Sequence, residues 1–125
     1  MTIQERFEAM KKKGMQIQKP MELFGSLDEK STHAHLDAKA QTFAAGALAV
    51  KMKALIALSA AVALDAPSCI MNNVKLAKNN GASKEEIMEA IAVAKFSKSA
   101  TILANAAPAL EWLMAEEAAK VDNKA

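Results

Sequence analysis

The sequence predicts an all-α protein, and three features of its composition support that fold class. Alanine makes up about a fifth of the chain, and it has the highest helix propensity of all residues. Only three prolines and four glycines interrupt the 125 residues. Apolar residues recur at three- and four-residue intervals, as they do along one face of a helix, so we expect about six to seven helices.

The first half of the chain is predicted to contain four helices. The first covers about residues 2–18, and Pro20 begins a short second helix because proline is tolerated in a first turn. The third and fourth helices are predicted over residues 34–46 and 49–64. Residues 54–64 are apolar on every side of the fourth helix, which predicts burial in the domain centre or in a subunit interface.

A fifth helix is predicted from its two ends. Asp65 is expected to be its N-cap, because an aspartate side chain accepts hydrogen bonds from the first backbone N–H groups. Pro67 follows in the first turn, and the helix is predicted to end near Asn80. Gly81 is then expected to provide the left-handed residue that ends many helices.

The last part of the chain is predicted to form two helices and a tail. Ser83 and Glu86 have the spacing of a capping box, which begins the sixth helix. Pro108 is expected to kink or restart the last helix. The predicted organisation is a single domain with N-terminal helices 1–45, a core 46–119 and a polar frayed tail 120–125.

Composition and charge exclude several classes of partner. Apolar residues make up 52% and charged residues 24% with a net charge of +2, which argues against disorder. Arg6 is the only arginine and aromatic residues make up 4%, so neither bidentate base contacts nor stacking on single strands is available. The longest uncharged stretch, 99–110, is shorter than the roughly 18 residues of a spanning helix. We therefore expect no nucleic-acid partner and no membrane association.

A single cysteine and the N-terminal residues predict the compartment. Cys69 cannot form an intrachain disulfide, and residues 1–14 lack the apolar segment of a signal peptide. The expected location is therefore the reducing cytoplasm.

Other polar and sulfur-containing residues are predicted to have structural roles. His33 and His35 point to opposite sides of a helix and have no carboxylate cluster nearby, so we predict no metal site. Lysines 11–13 are expected to form a solvated helix face, with a phosphate or acidic-partner site as the alternative. No cofactor is expected. Four methionines are expected to fill the core rather than bind a soft metal: Met52, Met71, Met88 and Met114.

Three segments between residues 46 and 94 carry a resemblance to a known family. They read GALAVKMKALIALS at 46–59, APSC at 66–69 and GASKEEIMEA at 81–90. These segments resemble the core of the carboxymuconolactone decarboxylase superfamily, and they are most similar to its alkyl hydroperoxide reductase D-like (AhpD-like) branch. Members of the branch read G-x-L-x-x-K-x-K-E-L-I-A-L, then C-x-x-C-x-x-x-H, then G-A-S-x-E-E-I-x-E-A. The resemblance implies an AhpD-like helical bundle that forms homo-oligomers, as trimers or hexamers.

The resemblance also implies a chemistry, thiol-dependent peroxide reduction. In the branch, the cysteine pair cycles between dithiol and disulfide while a histidine and a glutamate relay protons. The first cysteine position is Ala66 here, the second is Cys69, and the histidine position is Asn73. The glutamate position is Ala54. Asn73 can still hydrogen-bond near Cys69 but does not titrate, so the dithiol cycle within one subunit is lost.

Cys69 remains the candidate nucleophile, and two functions stay open. In the first, Cys69 reduces peroxides alone, with a small thiol or a thiol-redox protein as the reductant. Unpaired backbone donors would favour its thiolate, Asp65 would oppose it, and Lys51 and Lys53 are the nearest candidate cations unless they form a solvated helix start.

In the second function, the protein is a catalytically inactive oligomer that binds a small molecule or acts as a scaffold. Cys69 is then a small buried apolar residue, and the two alanines leave an apolar cavity. Lactone decarboxylation ranks third, because no acid–base pair and no arginine lies near the predicted pocket.

Overall fold

The computed structural model describes residues 1–124 and contains six α-helices over that part of the chain, with no β-strand. The all-α prediction is therefore confirmed. The helices are α1 (Ile3–Lys12), α2 (Lys19–Leu27), α3 (Glu29–Phe43), α4 (Val50–Ala63), α5 (Pro67–Asn79) and α6 (Lys84–Lys124). None of these helices combines the length and the apolar character that crossing a bilayer requires. The chain divides into two compact units, Met1–Ala54 and Leu55–Ala125, with the boundary inside α4.

Helix α1 begins with a capping box and is shorter than predicted. The Thr2 hydroxyl accepts a hydrogen bond from the Glu5 N–H at 3.1 Å, and the Glu5 carboxylate accepts from the Thr2 N–H at 2.7 Å. The predicted extension to residue 18 was wrong. Gly14 has a φ of 83°, and this left-handed conformation ends the helical run just after Lys12.

A small apolar core holds the first three helices together. Ile3 and Phe7 of α1 are buried with Leu36 of α3. Helix α2 approaches this core at Gly25, where an added Cβ would lie 2.9 Å from the Cε2 atom of Phe7. Glycine is therefore required for the close approach of α2 to the Phe7 ring. Three partly buried side chains pack against the same core: Met10, Ile17 and Met21.

Helix α3 begins at Glu29, five residues before the predicted start. Asp28 is its N-cap, because the Asp28 carboxylate accepts hydrogen bonds from the Ser31 N–H at 2.9 Å and from the Ser31 hydroxyl at 2.6 Å. His33 therefore lies on α3. Its Nδ1 atom accepts a hydrogen bond from Arg6 of α1 at 3.1 Å, since a guanidinium can only donate. Arg6 also forms an ion pair with Asp37 at 2.7 Å.

The turn between α4 and α5 corrects the role predicted for Asp65. Asp65 has a φ of 54°, its N–H donates to the Val62 carbonyl at 3.2 Å, and the Ala66 N–H donates to the Ala61 carbonyl at 3.1 Å. This is the Schellman arrangement that ends a helix, so Asp65 ends α4. It does not cap α5. The N-cap of α5 is Ala66, which supplies no side-chain hydrogen bond.

The turn between α5 and α6 confirms two local predictions. Gly81 has a φ of 90°, and the Ala82 N–H donates to the Ala77 carbonyl at 2.9 Å in a second Schellman arrangement. The Ser83 hydroxyl accepts from the Glu86 N–H at 3.0 Å, and the Glu86 carboxylate accepts from the Ser83 N–H at 3.0 Å. The predicted capping box therefore begins α6.

Helix α6 runs unbroken for 41 residues and includes Pro108. The predicted restart at Pro108 was wrong: the proline removes one backbone donor, but the alanines on both sides of it have high helix propensity. The frayed tail was predicted over residues 120–125; residues 120–124 are helical, and residue 125 lies outside the described residues. That the chain forms a single domain stays a prediction.

Many apolar side chains remain exposed in the chain. On α4, Leu58 and Ala61 are buried but Ile56 is 52% exposed, so the helix predicted to be buried on every side has one open face. The prediction that four methionines fill the core was also wrong, because all four side chains are exposed. Met52, Met71, Met88 and Met114 are 46%, 55%, 57% and 73% exposed.

Candidate functional site

The candidate nucleophile lies at the start of α5. Cys69 is the third residue of that helix, and it is exposed with a free thiol. Its exposure contradicts the alternative in which Cys69 is a small buried apolar residue. Ala66 precedes it by three residues and Asn73 follows it by four, a spacing that places all three on one side of the helix. Both neighbours are half-buried.

Ala54, which occupies the position of the family's glutamate, lies on another helix. Ala54 of α4 is fully buried, with none of its surface exposed, and it is the last residue of the first compact unit. The structure therefore gives this position a packing role. A carboxylate there would have to be desolvated, which an alanine avoids.

The N-terminus of α5 lacks the side-chain cap that the sequence predicted. Ala66 has no side-chain acceptor, and Pro67 has no N–H group. Because the first N–H groups of a helix have no partner within it, Ser68 and Cys69 present backbone donors near the thiol. The Ala66 carbonyl accepts the first hydrogen bond of the helix, from the Ile70 N–H at 2.9 Å.

The negative charge next to this helix end is paired with a cation. The Asp65 carboxylate forms an ion pair with the ammonium group of Lys98 on α6. Lys98 could not be predicted from the sequence, since 33 residues separate it from Asp65 and no local pattern links them. The ion pair offsets the charge of Asp65, which the sequence suggested would oppose a thiolate at Cys69.

One of the predicted cations has a different role. The Nζ atom of Lys53 donates to the carbonyls of Thr42 at 2.9 Å and of Ala44 at 2.6 Å. These carbonyls lie at the C-terminal end of α3, where the backbone acceptors have no partner within the helix. Lys53 therefore closes the end of α3 and is not part of a solvated helix start.

One apolar depression lies on α2. Four of its lining side chains are apolar: Pro20, Leu23, Phe24 and Leu27. It belongs to the first compact unit, whereas Cys69 belongs to the second. Chemically, the described residues around Cys69 provide one accessible thiol, helix N–H donors and the amide of Asn73, with no second thiol beside it at Ala66.

The geometry and the sequence comparison define the class of this protein. It is an all-α chain with one exposed thiol at a helix start, and its residues 30–112 match the carboxymuconolactone decarboxylase family. The match covers more than half of the chain. The chain therefore belongs to the carboxymuconolactone decarboxylase family, which confirms the resemblance at the level of the family.

The chain is also similar to one curated protein. The chain is 44% identical over 71 residues to "Uncharacterized protein 4 in cox locus" of Paracoccus denitrificans. The aligned part is 57% of this chain and 64% of the relative. The chain therefore matches less than two-thirds of the length of that relative. No solved structure matches the chain significantly.

Proposed function

We propose that this family member is a thiol-dependent, peroxide-reducing oxidoreductase that uses Cys69 as its single nucleophile. The observation that supports this proposal is the exposure of Cys69 in the first turn of α5, among backbone donors that no side chain caps. A thiol that reacts must be reachable, and a buried structural cysteine is not. The proposed role is antioxidant, and the proposed compartment is the reducing cytoplasm, where a free thiol persists.

The first step oxidises Cys69 and reduces the peroxide. The thiolate attacks one peroxide oxygen, the O–O bond breaks, and the leaving alkoxide takes a proton to become an alcohol. The product on the protein is a sulfenic acid, Cys69–SOH. The helix N–H groups and the Asn73 amide are the groups of this chain proposed to orient the oxidised sulfur.

The second step needs an external thiol, because Ala66 offers no second sulfur within the subunit. A small thiol or a thiol-redox protein attacks Cys69–SOH, releases water and forms a mixed disulfide. A second thiol then restores Cys69 and leaves as the external disulfide. The balance is one peroxide and two thiols giving one alcohol, one water and one disulfide.

Trapping of the sulfenic acid tests this function directly. Folded protein treated with an organic hydroperoxide should form a dimedone adduct on the peptide containing Cys69, and added small thiol should prevent the adduct. Because Cys69 is the only cysteine, the Cys69→Ser variant is a complete control for background oxidation. A folded protein that gives no adduct while its thiol still reacts with maleimide would overturn the proposal.

A second candidate is a catalytically inactive oligomer that binds a small molecule or acts as a scaffold. The observation that favours it is the large number of exposed apolar side chains on α6, including Phe96, Leu103 and Trp112 at 76%, 70% and 65%. Such a surface is typical of an interaction site. This function predicts that Cys69→Ser leaves the stability and the oligomeric state of the protein unchanged. Lactone decarboxylation remains the third candidate.

A further inference from the structure

Methionine is common in this chain, and most of its methionines lie on the surface. The sequence contains eight of them, and six are largely exposed. Met1 is one of the six, but terminal residues are exposed in most folds. The other five, which we call the surface methionines, are between 46% and 73% exposed: Met15, Met52, Met71, Met88 and Met114.

The remaining two methionines lie against a core. Met10 of α1 and Met21 of α2 are partly buried and pack against the cluster of Ile3, Phe7 and Leu36. A thioether in such a position fills the space between apolar neighbours, which is the usual role of methionine. The surface methionines do not have that role, because about half or more of each residue is in contact with solvent.

The surface methionines are distributed along the chain rather than grouped on one helix face. Met15 lies between α1 and α2, Met52 lies on α4, and Met71 lies on α5. Met88 and Met114 both lie on α6, but 26 residues separate them, which is about 39 Å along a helix axis. An interaction site groups its apolar side chains in one patch. This distribution therefore favours a role in which each side chain acts separately.

A thioether differs from the other apolar side chains in one reaction. Its sulfur accepts an oxygen atom from a hydroperoxide and becomes a sulfoxide, which is polar. In a core, this change would bury a polar group without a partner and disrupt the packing. At an exposed position the sulfoxide oxygen is hydrated, so the oxidation should leave the fold intact. A leucine would occupy the same surface but would not react.

We propose that the surface methionines are a second site of peroxide consumption, which acts without Cys69. In each event the sulfur attacks one peroxide oxygen, the O–O bond breaks, and that oxygen stays on the sulfur. The leaving alkoxide takes the proton of the transferred oxygen, so one hydroperoxide gives one sulfoxide and one alcohol. Methionine sulfoxide reductases, with a thiol as the electron donor, return the sulfoxide to the thioether.

This second site goes beyond the proposed function and does not depend on it. A thioether has no proton to lose, so its oxidation needs neither a thiolate nor a helix N-terminus. The surface methionines take up five oxygen atoms per chain, whereas a sulfenic acid at Cys69 holds one. The inference therefore stands whether or not Cys69 reacts with peroxide.

Oxidation of each methionine in a Cys69→Ser variant tests the assignment. The folded variant is treated with excess tert-butyl hydroperoxide, and the oxidised fraction at each position is followed by peptide mass spectrometry. Sulfoxides should form at the five surface methionines and at Met1. Met10 and Met21 should react more slowly than they do in the same variant unfolded in urea. Circular dichroism should show that the oxidised protein keeps its helices.

A matched pair of substitutions tests whether exposure decides the reaction. On the Cys69→Ser background, Leu27→Met places a thioether at a position that is 88% exposed, whereas Leu58→Met places it where the side chain is fully buried. Leucine and methionine have similar volumes, so the core should tolerate the second change. Leu27→Met should consume one more hydroperoxide per chain than its background, and Leu58→Met should consume no more.

Replacing three surface methionines by leucine tests the capacity. Met71→Leu, Met88→Leu and Met114→Leu together should remove three of the oxygen atoms that each chain takes up. An unchanged consumption in this variant, a loss of helices on oxidation, or equal consumption by Leu27→Met and Leu58→Met would each overturn the inference. So would oxidation of Met10 and Met21 as fast as that of the surface methionines. Because every variant here lacks Cys69, these outcomes are independent of the dimedone adduct that tests the proposed function.

Discussion

Lys98 of α6 forms an ion pair with Asp65, a residue held in the left-handed conformation at the end of α4. Asp65 has a φ of 54°, which costs most residues with a side chain roughly 1 kcal/mol or more. Aspartate tolerates this conformation better than most residues, and its carboxylate reaches Lys98 from there. One residue therefore ends α4 and links the α4–α5 turn to α6.

We expect Asp65→Gly and Asp65→Ala to differ clearly in stability. Both lose the ion pair, which is mostly exposed and contributes little, but only glycine adopts the left-handed conformation without strain. Asp65→Ala should be less stable than Asp65→Gly by about 1 kcal/mol in urea unfolding. Lys98→Ala measures the ion pair alone. Equal stabilities for the alanine and glycine variants would show that Asp65 is not strained.

Gly25→Ala should destabilise the packing of α2 on α1. The added methyl group would lie 2.9 Å from Cε2 and 3.0 Å from Cζ of Phe7, so the ring or the helix must move. Overpacking of this kind costs about 1–3 kcal/mol, which thermal unfolding would detect. Gly14→Ala is the matched control, because Gly14 has no neighbour within 4 Å and its substitution tests only the φ of 83°. A Gly25→Ala variant as stable as the parent would contradict this account.

Ser83→Ala should lower stability without affecting any chemistry at Cys69. The substitution removes the acceptor for the Glu86 N–H at the start of α6, which costs about 1 kcal/mol. The rate at which Cys69 reacts with maleimide should not change at a temperature where the fold is intact. If the cysteine rate changed while thermal stability did not, Ser83 would have a chemical role rather than a structural one.

Asp28 should contribute a pH-dependent part of the stability of α3. The hydrogen bonds that its side chain accepts from the Ser31 hydroxyl and backbone N–H hold the pKa of Asp28 below its ordinary value of 3.8. A lowered pKa in the folded state means that the ionised form stabilises the fold. This contribution is therefore present above the ordinary pKa and is lost as the pH falls through the lower folded-state value.

A titration of the Asp28 carboxyl by NMR checks that direction. In Ser31→Ala the hydroxyl donor is gone, so the pKa of Asp28 should rise toward its ordinary value. Ser26→Ala is the control, because the Ser26 hydroxyl donates to the Glu22 carbonyl and does not contact Asp28. An unchanged Asp28 titration in Ser31→Ala would mean that the Ser31 hydroxyl does not lower the pKa of the Asp28 carboxyl.

Local sequence signals predicted the parts of the fold that depend on neighbouring residues. Gly81 and the Ser83–Glu86 capping box were predicted correctly, since each involves contacts within about five residues. Asp65 was assigned incorrectly, because the same residue fits two motifs: the end of α4 and the start of α5. Its φ of 54° and the hydrogen bond from the Ala66 N–H to the Ala61 carbonyl show that it ends α4, whereas the sequence fits both motifs.

The sequence predicts which residues form the candidate site, but it does not predict whether their side chains are exposed. The family resemblance placed Ala66, Cys69 and Asn73 along one helix, and in the structure Cys69 and Asn73 lie on α5 with Ala66 as its N-cap. Exposure depends instead on which helix faces are covered after packing. For that reason the exposed thiol of Cys69 and the exposed methionines could not be read from the sequence, which only shows that these side chains are apolar.

Rebuilding the lost catalytic groups should create a peroxidase cycle through an intrachain disulfide, which this chain lacks. Ala66→Cys adds a second sulfur three residues before Cys69, and Asn73→His adds a group that titrates on the same side of α5. The double variant should form an intrachain disulfide after peroxide treatment and turn over peroxide with a dithiol reductant. We expect the parent to be at least about a hundredfold slower, a difference of about 2.7 kcal/mol in transition-state stabilisation.

The third substitution, Ala54→Glu, separates chemistry from packing. Ala54 is fully buried, so Ala54→Glu introduces a carboxylate that must be desolvated, and we expect it to lower the thermal stability of any variant that contains it. Peroxide turnover and unfolding should therefore be measured for the double variant before the triple one, with Ala66→Ser and Asn73→His together as the control without a second thiol. A parent that already reduces peroxide as fast as the double variant would show that Cys69 needs neither group, and that its partners lie elsewhere on α5 or α6.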